Sequence, residues 1–323
     1  MNAVTATSLI DRMFSEPVLD RWQGAIPRSK HLEYRMLMLD RRLPPPPGWS
    51  TEEFDEMRTR YRHQLGTFLT AASRYGLMDG SGSGDLAAKL TGRNDVNFRS
   101  ARAECIAAWY LGDQLGLDIG PRPIGRTGPL EFVLRDTRGE IHVEVKAPCR
   151  EPVLYDLDAV KTGAIRAHTV NDADIVSESV RKARKQFGKT TPNLVFLAAE
   201  LTIPERWLRR TITEALYGVE RWVAERNAET LDIGPFERIC DPTGIFLRHL
   251  NEGGRPTSTR VSGVLYLEES HDVGAGPLDC NVFLAHNPFA SHVLPEDIWR
   301  NVPQLKLDGT SLVWSDGFGE HAP

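Results

Sequence analysis

The spacing of apolar side chains divides the chain into two textures. Up to about residue 95 they recur at helical intervals and β-branched runs are scarce, which predicts a mostly helical region. A first helix is expected over Ser8–Trp22. The Arg- and Leu-rich stretch Arg28–Leu43 follows, and Pro44–Pro47 ends any helix there. Ser50 or Thr51, with Glu52 and Glu53 behind it, is a favourable start for a long helix towards Tyr75, because acidic side chains suit a helix N-terminus. The run Gly80-Ser-Gly-Ser-Gly84 reads as a flexible joint.

From Asn97 the pattern becomes mixed. Ser100–Leu115 is predicted as a helix with Ile106, Trp109, Tyr110 and Leu111 among its apolar positions, ended by Gly116 and Gly120. A short strand is expected at Pro121–Ile124. Leu130–Arg135 and Ile141–Ala147 alternate in strand fashion around Asp136-Thr-Arg-Gly139, a turn with Asp first and Gly last. Asp174–Phe187 reads as a basic amphipathic helix, and Asn193–Ala199 as a buried central strand. The last third is expected to add a helix over Glu205–Asn227 and strands at Val261–Leu267 and Asn281–Ala285. The prediction is an α/β protein: a helical region over residues 1–95, then an α/β domain over 96–323 with a C-terminal extension.

The hairpin concentrates the chemistry. Alternate side chains of a strand share a face, so Ile141, Val143 and Val145 form one row and His142, Glu144 and Lys146 the other. On the first strand Leu130, Phe132 and Leu134 are apolar, with Glu131, Val133 and Arg135 opposite. Aligning the apolar rows pairs Glu131 with Glu144 when Asp136 faces Gly139, and with Lys146 after a two-residue shift. Either register brings two carboxylates and an ammonium to one face. Two like charges about 5 Å apart repel by roughly 3 kcal/mol at an effective dielectric of about 20. A proton, an ion pair or a divalent cation has to offset that. Two carboxylates with water and a backbone carbonyl suit a hard cation such as Mg²⁺, beside which Lys146 can position or deprotonate an attacking water.

A helix carrying Glu104 (ARAECIAAW), an acid opening one hairpin strand at Glu131 (GPLEFVL), and Glu144-Val145-Lys146 (HVEVKAP) on its partner resemble the PD-(D/E)xK nuclease superfamily. The resemblance covers roughly 100 residues and implies a restriction-endonuclease-like αβββαβ core with a mixed sheet. It implies Mg²⁺, with Mn²⁺ as a substitute, held by Glu131 and Glu144 with Glu104 assisting. Lys146 would orient water for phosphodiester hydrolysis, with nucleic acid, DNA ahead of RNA, as the partner. The equivalent helix of that family lends a Lys or Gln to the site, which nominates Lys182 or Gln186. Lys182, Lys185 and Gln186 belong to a basic run that can also contact phosphates, although a solvated face is the plainer reading. The chain has Pro129-Leu130-Glu131 where the family usually has Pro-Asp. That departure favours the alternative of a degenerate nuclease fold acting as a nucleic-acid-binding or scaffold module. A third reading makes the Glu-x-Lys an ordinary strand face of a structural protein.

Other candidates carry less. Glu104 shares a partly apolar helix face with Ala108 and Leu111, so it is either ion-paired, with Arg102 or another element, or functional. His142 lies on the carboxylate face and is a candidate third ligand, although a surface role is the simpler reading. His286 and His292 match no metal spacing, and Cys149 has no histidine near it in sequence. Arg28–Arg42 is read as a solvated helix face or a second basic patch. Cys105, Cys149, Cys240 and Cys280 are too scattered for a zinc knuckle and are expected to be reduced thiols in a cytoplasmic protein. The longest apolar stretch, near Leu194–Ala199, falls far short of the ~20 residues that span a bilayer, and no secretory leader is evident at the start. A net charge of −5 does not advertise a nucleic-acid binder, so local basic patches and a metal have to supply the attraction. Oligomeric state is left open, a homodimer included.

Overall fold

In the computed structural model, residues 9–23, 50–78, 84–92, 94–120, 125–148, 172–199, 209–226, 228–240, 243–247, 259–269 and 280–315 are described. The Arg28–Arg42 segment, Pro121–Ile124 and Cys149 lie outside them. Among them no helix is long and apolar enough to cross a membrane.

The helices are α1 (Glu16–Gln23), α2 (Thr51–Arg74), α3 (Gly84–Thr91), α4 (Asp95–Ala108), α5 (Asp172–Gln186) and α6 (Arg209–Tyr217). The expected start of α2 is present as a full capping box. The Glu53 N–H donates to Ser50 Oγ at 3.1 Å, and the Ser50 N–H donates to the Glu53 carboxylate at 2.8 Å. The first predicted helix is instead two pieces, 9–13 and α1, parted at Ser15. The helix expected from Ser100 begins earlier, at Asp95, because Asn94 Oδ1 accepts from the Val96 and Asn97 N–H groups. Its last turn, Trp109–Gln114, is a π-helix.

Eight strands form one sheet: β1 (Asp118–Gly120), β2 (Phe132–Asp136), β3 (Gly139–Lys146), β4 (Asn193–Ala199), β7 (Gly263–Glu269), β8 (Cys280–His286), β9 (Gln304–Asp308) and β10 (Ser311–Trp314), adjacent in that order. β3–β4, β4–β7 and β8–β9 are parallel and the other pairs antiparallel, so the sheet is mixed. Among the described residues the strand preceding the hairpin is Asp118–Gly120. A separate two-stranded ribbon joins β5 (Glu220–Arg226) to β6 (Ile233–Cys240).

The ribbon corrects the helix expected over Glu205–Asn227. α6 stops at Tyr217 and Gly218 takes φ 103°, a left-handed conformation that ends a helix. The following Glu-Arg-Trp-Val-Ala-Glu-Arg alternates and is strand.

Both faces of the sheet are covered. One core joins Phe132, Leu134, Ile141, Val143, Val145, Leu194 and Phe196 to α2, α3, α4 and the residues around α1. The N-terminal helices thus share their core with the sheet. The other core joins Val195, Leu197, Val264 and Tyr266 to Val176, Val180, Ala183 and Phe187 of α5 and Ile212, Ala215 and Leu216 of α6. A central strand buried on both faces reads as a continuous apolar run, and β4 does so. On β3 the second face carries Glu144 and Lys146 instead.

Candidate active site

The hairpin takes the register in which Asp136 pairs with Gly139, so Phe132 lies across from Val143 and Glu131 is carried next to Glu144. The turn is fixed locally: Asp136 Oδ1 accepts from the Thr137 N–H at 2.7 Å, and Gly139 supplies the φ of 135°. Glu131 sits in a bend just before β2, partly buried, where its Oε2 accepts from the Val145 N–H at 3.3 Å.

Glu144 is completely buried. Its Oε1 accepts from Lys146 Nζ and from Gln186 Nε2, the last residue of α5. Its Oε2 is buried and, the Glu131 carboxyl aside, has no hydrogen-bond partner among the described residues, a costly state for a carboxylate oxygen. Lys146 keeps 22% of its side chain in solvent while its ammonium is bonded to the buried Glu144 carboxylate.

The electrostatics follow from this crowding. Burial, then the hydrogen bond to Glu144 and its charge, push the Glu131 carboxyl up to about 8, against the opposing pull of Lys146 and the Val145 N–H. Glu131 therefore holds its proton at neutral pH. Unfolded, Glu131 titrates near 4.5. Between pH 4.5 and 8 the folded state holds more protons than the unfolded one, so stability is full in acid and falls as pH rises through about 8. Glu131→Gln removes that dependence and can donate to the bare Glu144 oxygen. In EDTA the variant is expected to exceed wild type in stability at pH 8.5 by on the order of 2–4 kcal/mol, and to match it more closely at pH 5. Urea midpoints at both values test this; a wild type whose stability is flat over that range contradicts it.

The placement of Gln186 depends on Gly125 and Arg126. The Arg126 N–H donates to the Gln186 carbonyl at 2.6 Å, and Arg126 Nε to the Lys185 carbonyl at 3.1 Å. The Gly125 N–H closes a turn on the Gly128 carbonyl at 2.8 Å, and a Cβ at Gly125 would lie 2.8 Å from the Gln186 carbonyl oxygen. The loop that delivers Glu131 thus caps the C-terminus of α5, the end that delivers Gln186. The glycine pair around Arg126-Thr127 was the available signal.

Glu104 does not join the group. It is buried on α4, which packs on the face of Val143 and Val145, whereas Glu144 and Gln186 lie on the face under α5. There it meets Lys89 Nζ of α3 at 3.5 Å, the ion-pair reading with a partner from another element. Arg102 instead pairs with Glu269 at 2.8 Å. Among the described residues no group of three or more His, Cys, Asp or Glu side chains is arranged to hold a metal ion.

Of the helix candidates, Gln186 reaches the site, while Lys182 and Lys185 are exposed on α5. The histidines are accounted for by local bonding. His142 Nδ1 lies 3.3 Å from Thr191 Oγ1, His286 Nε2 2.8 Å from Gln304 Oε1, and His292 Nε2 2.8 Å from the Lys189 carbonyl. Burial holds His142 and His286 below the usual imidazole range. Burial first, then the Glu104 charge, raises the Cys105 thiol far above the usual range, leaving it inert as a nucleophile.

Compared with protein-family models, curated proteins and solved structures, the chain matches none of them.

Proposed function

We propose that this chain is a metal-dependent nuclease that hydrolyses phosphodiester bonds of nucleic acid, DNA ahead of RNA. The observation that carries the reading is the group Glu131, Glu144, Lys146 and Gln186 at one end of the hairpin: a buried and a partly buried carboxyl side by side, with a partly exposed lysine bonded to one of them.

The donor set fits a hard divalent cation. Two carboxyls lie together at the cost of a raised Glu131 pKa, and one Glu144 oxygen is buried without a donor group among the described residues other than Glu131 itself. Glu131 and Glu144 would hold Mg²⁺ or Mn²⁺, with water and backbone oxygens completing the shell. Bound there, the ion supplies charge stabilisation at the phosphate and an acidified water. Gln186 holds the Glu144 carboxylate in place through its Oε1. Lys146, partly in solvent, orients the attacking water and faces the charge that develops on the phosphoryl oxygens. In the balanced step, the water oxygen bonds to phosphorus as the bond to the leaving sugar oxygen breaks. The water proton is released to solvent or the leaving group.

Cleavage of labelled single- and double-stranded DNA and of RNA by purified protein tests the reading. Cleavage that needs Mg²⁺ or Mn²⁺ and stops in EDTA is expected, and its absence on all three substrates rejects it. The lack of a third carboxylate among the described residues favours a second reading, a catalytically degenerate nuclease fold that binds nucleic acid or acts as a scaffold. Calorimetry with Mg²⁺ and Mn²⁺ separates the two: heat that disappears in Glu144→Gln supports the nuclease, and no heat from either ion supports the degenerate fold.

A further inference from the structure

The β5–β6 ribbon lies outside the main sheet and carries an unusual concentration of exposed apolar surface. Trp222, Phe236, Ile233 and Leu231 are 67%, 65%, 63% and 58% exposed. Patches of this kind mark interaction sites more often than chance. β6 leans towards β10, and β5 pairs only with β6 among the described residues. From Arg221 to Val223, and again at Glu225 and Arg226, β5 is exposed.

The sequence of β5, Glu220-Arg-Trp-Val-Ala-Glu-Arg226, is complementary to itself when reversed. Laid antiparallel on a second copy and centred on Val223, Glu220 faces Arg226 and Arg221 faces Glu225. Trp222 faces Ala224, a large side chain against a small one, and Val223 meets its own copy. The two-fold repeats each charge pair, so all eight charged side chains of the two strands meet an opposite sign. Neighbouring registers lose this. A slip of one residue sets Glu220 against Glu225 in one direction and Arg221 against Arg226 in the other, and a parallel arrangement sets every charge on its like. The ribbon's irregularity places the extra residue on β6, between Ile233 and Phe236, so β5 keeps its alternation.

We infer that β5 is a dimerisation edge, on which two copies of this chain join antiparallel about Val223 to form a four-stranded sheet β6–β5–β5–β6. Glu220, Trp222, Ala224 and Phe236 share one face, since Ala224 pairs with Phe236. In the dimer the two Trp222 rings become diagonal neighbours over the small Ala224 side chains, flanked by the two Phe236 rings. Such diagonal pairs lie within reach of aromatic side chains, so the exposed apolar face covers itself. A strand with two Glu and two Arg has no net attraction for a polyanion, and the charges that discourage other strands from pairing with an edge here select one partner.

Sedimentation velocity on the full chain tests this with charge reversals. Wild type is expected to be a dimer. Arg221→Glu and Glu225→Arg each set like charges across the two-fold twice and are expected to weaken association by about tenfold or more, with far-ultraviolet dichroism unchanged because both positions are exposed. Mixing the two variants pairs Glu at 221 with Arg at 225 in one direction and Glu225 with Arg221 in the other, so a heterodimer is expected to return. A monomeric wild type, single reversals that associate as wild type does, or a mixture that stays monomeric each overturns the inference.

Discussion

Lys146→Ala and Glu144→Ala are each expected to lower metal-dependent cleavage by about 10²–10⁴-fold, the range typical of losing a positioned proton-transfer or charge-stabilising group. The two substitutions act differently and are informative together. Lys146 is partly in solvent and contributes one ion pair to Glu144, so its removal leaves the buried carboxyls with Gln186 as donor. Cation binding should survive in Lys146→Ala while cleavage is lost. Glu144→Ala removes the carboxylate on which both Lys146 and Gln186 converge, so cation binding should be lost with cleavage. Glu144→Gln keeps the side chain's shape and serves as the control against misfolding, since β3 is central to both cores. Gln186→Ala withdraws only a support for Glu144, and a loss of about tenfold is expected, within the range seen when an outer partner of a ligand is removed. Rates under single-turnover conditions and calorimetry on the same samples check the series. Full cleavage by both alanine variants rules the nuclease reading out.

The parts of the fold that were legible in the sequence are those in which one local rule acts without competition. Strand alternation put Glu131, Glu144 and Lys146 on one face, and the Asp136–Gly139 turn selected between the two registers left open. The charges at Glu52 and Glu53 pointed to the start of α2, and the apolar run at 193–199 to β4. The failures come from long-range geometry. Helical periodicity says that Glu104 points inward but not which face of a sheet its helix will cover, and α4 lies on the face away from Glu144. Gln186 is chosen over Lys182 by the cap that Arg126 places on α5, a contact across 60 positions. At Gly218 the stop signal competes with apolar spacing that continues in helical fashion to Asn227, and the left-handed backbone there decides for β5.

The largest stability effect is expected away from the site, at the buried pair Arg102–Glu269. Each side chain is only 3% exposed, and the guanidinium meets the carboxylate at 2.8 Å. Arg102 also lies over the rings of Tyr61 and Phe68 of α2, at 5.2 and 5.7 Å from their centroids. One side chain thereby joins α2, α4 and the end of β7. Arg102→Ala takes the cation away from a buried carboxylate, and breaking such a pair costs about 3–5 kcal/mol. Arg102→Met with Glu269→Leu removes both charges and refills the volume; it is expected to recover most of that loss or exceed wild type, because a buried pair spends much of its attraction on desolvation. The difference between single and double variants in urea denaturation isolates the coupling. The Arg102→Ala deficit should also shrink in acid, where the stranded carboxyl can take a proton. A single variant that costs less than about 1 kcal/mol, with no change between acid and neutral pH, would place this pair among the weak ones despite its burial.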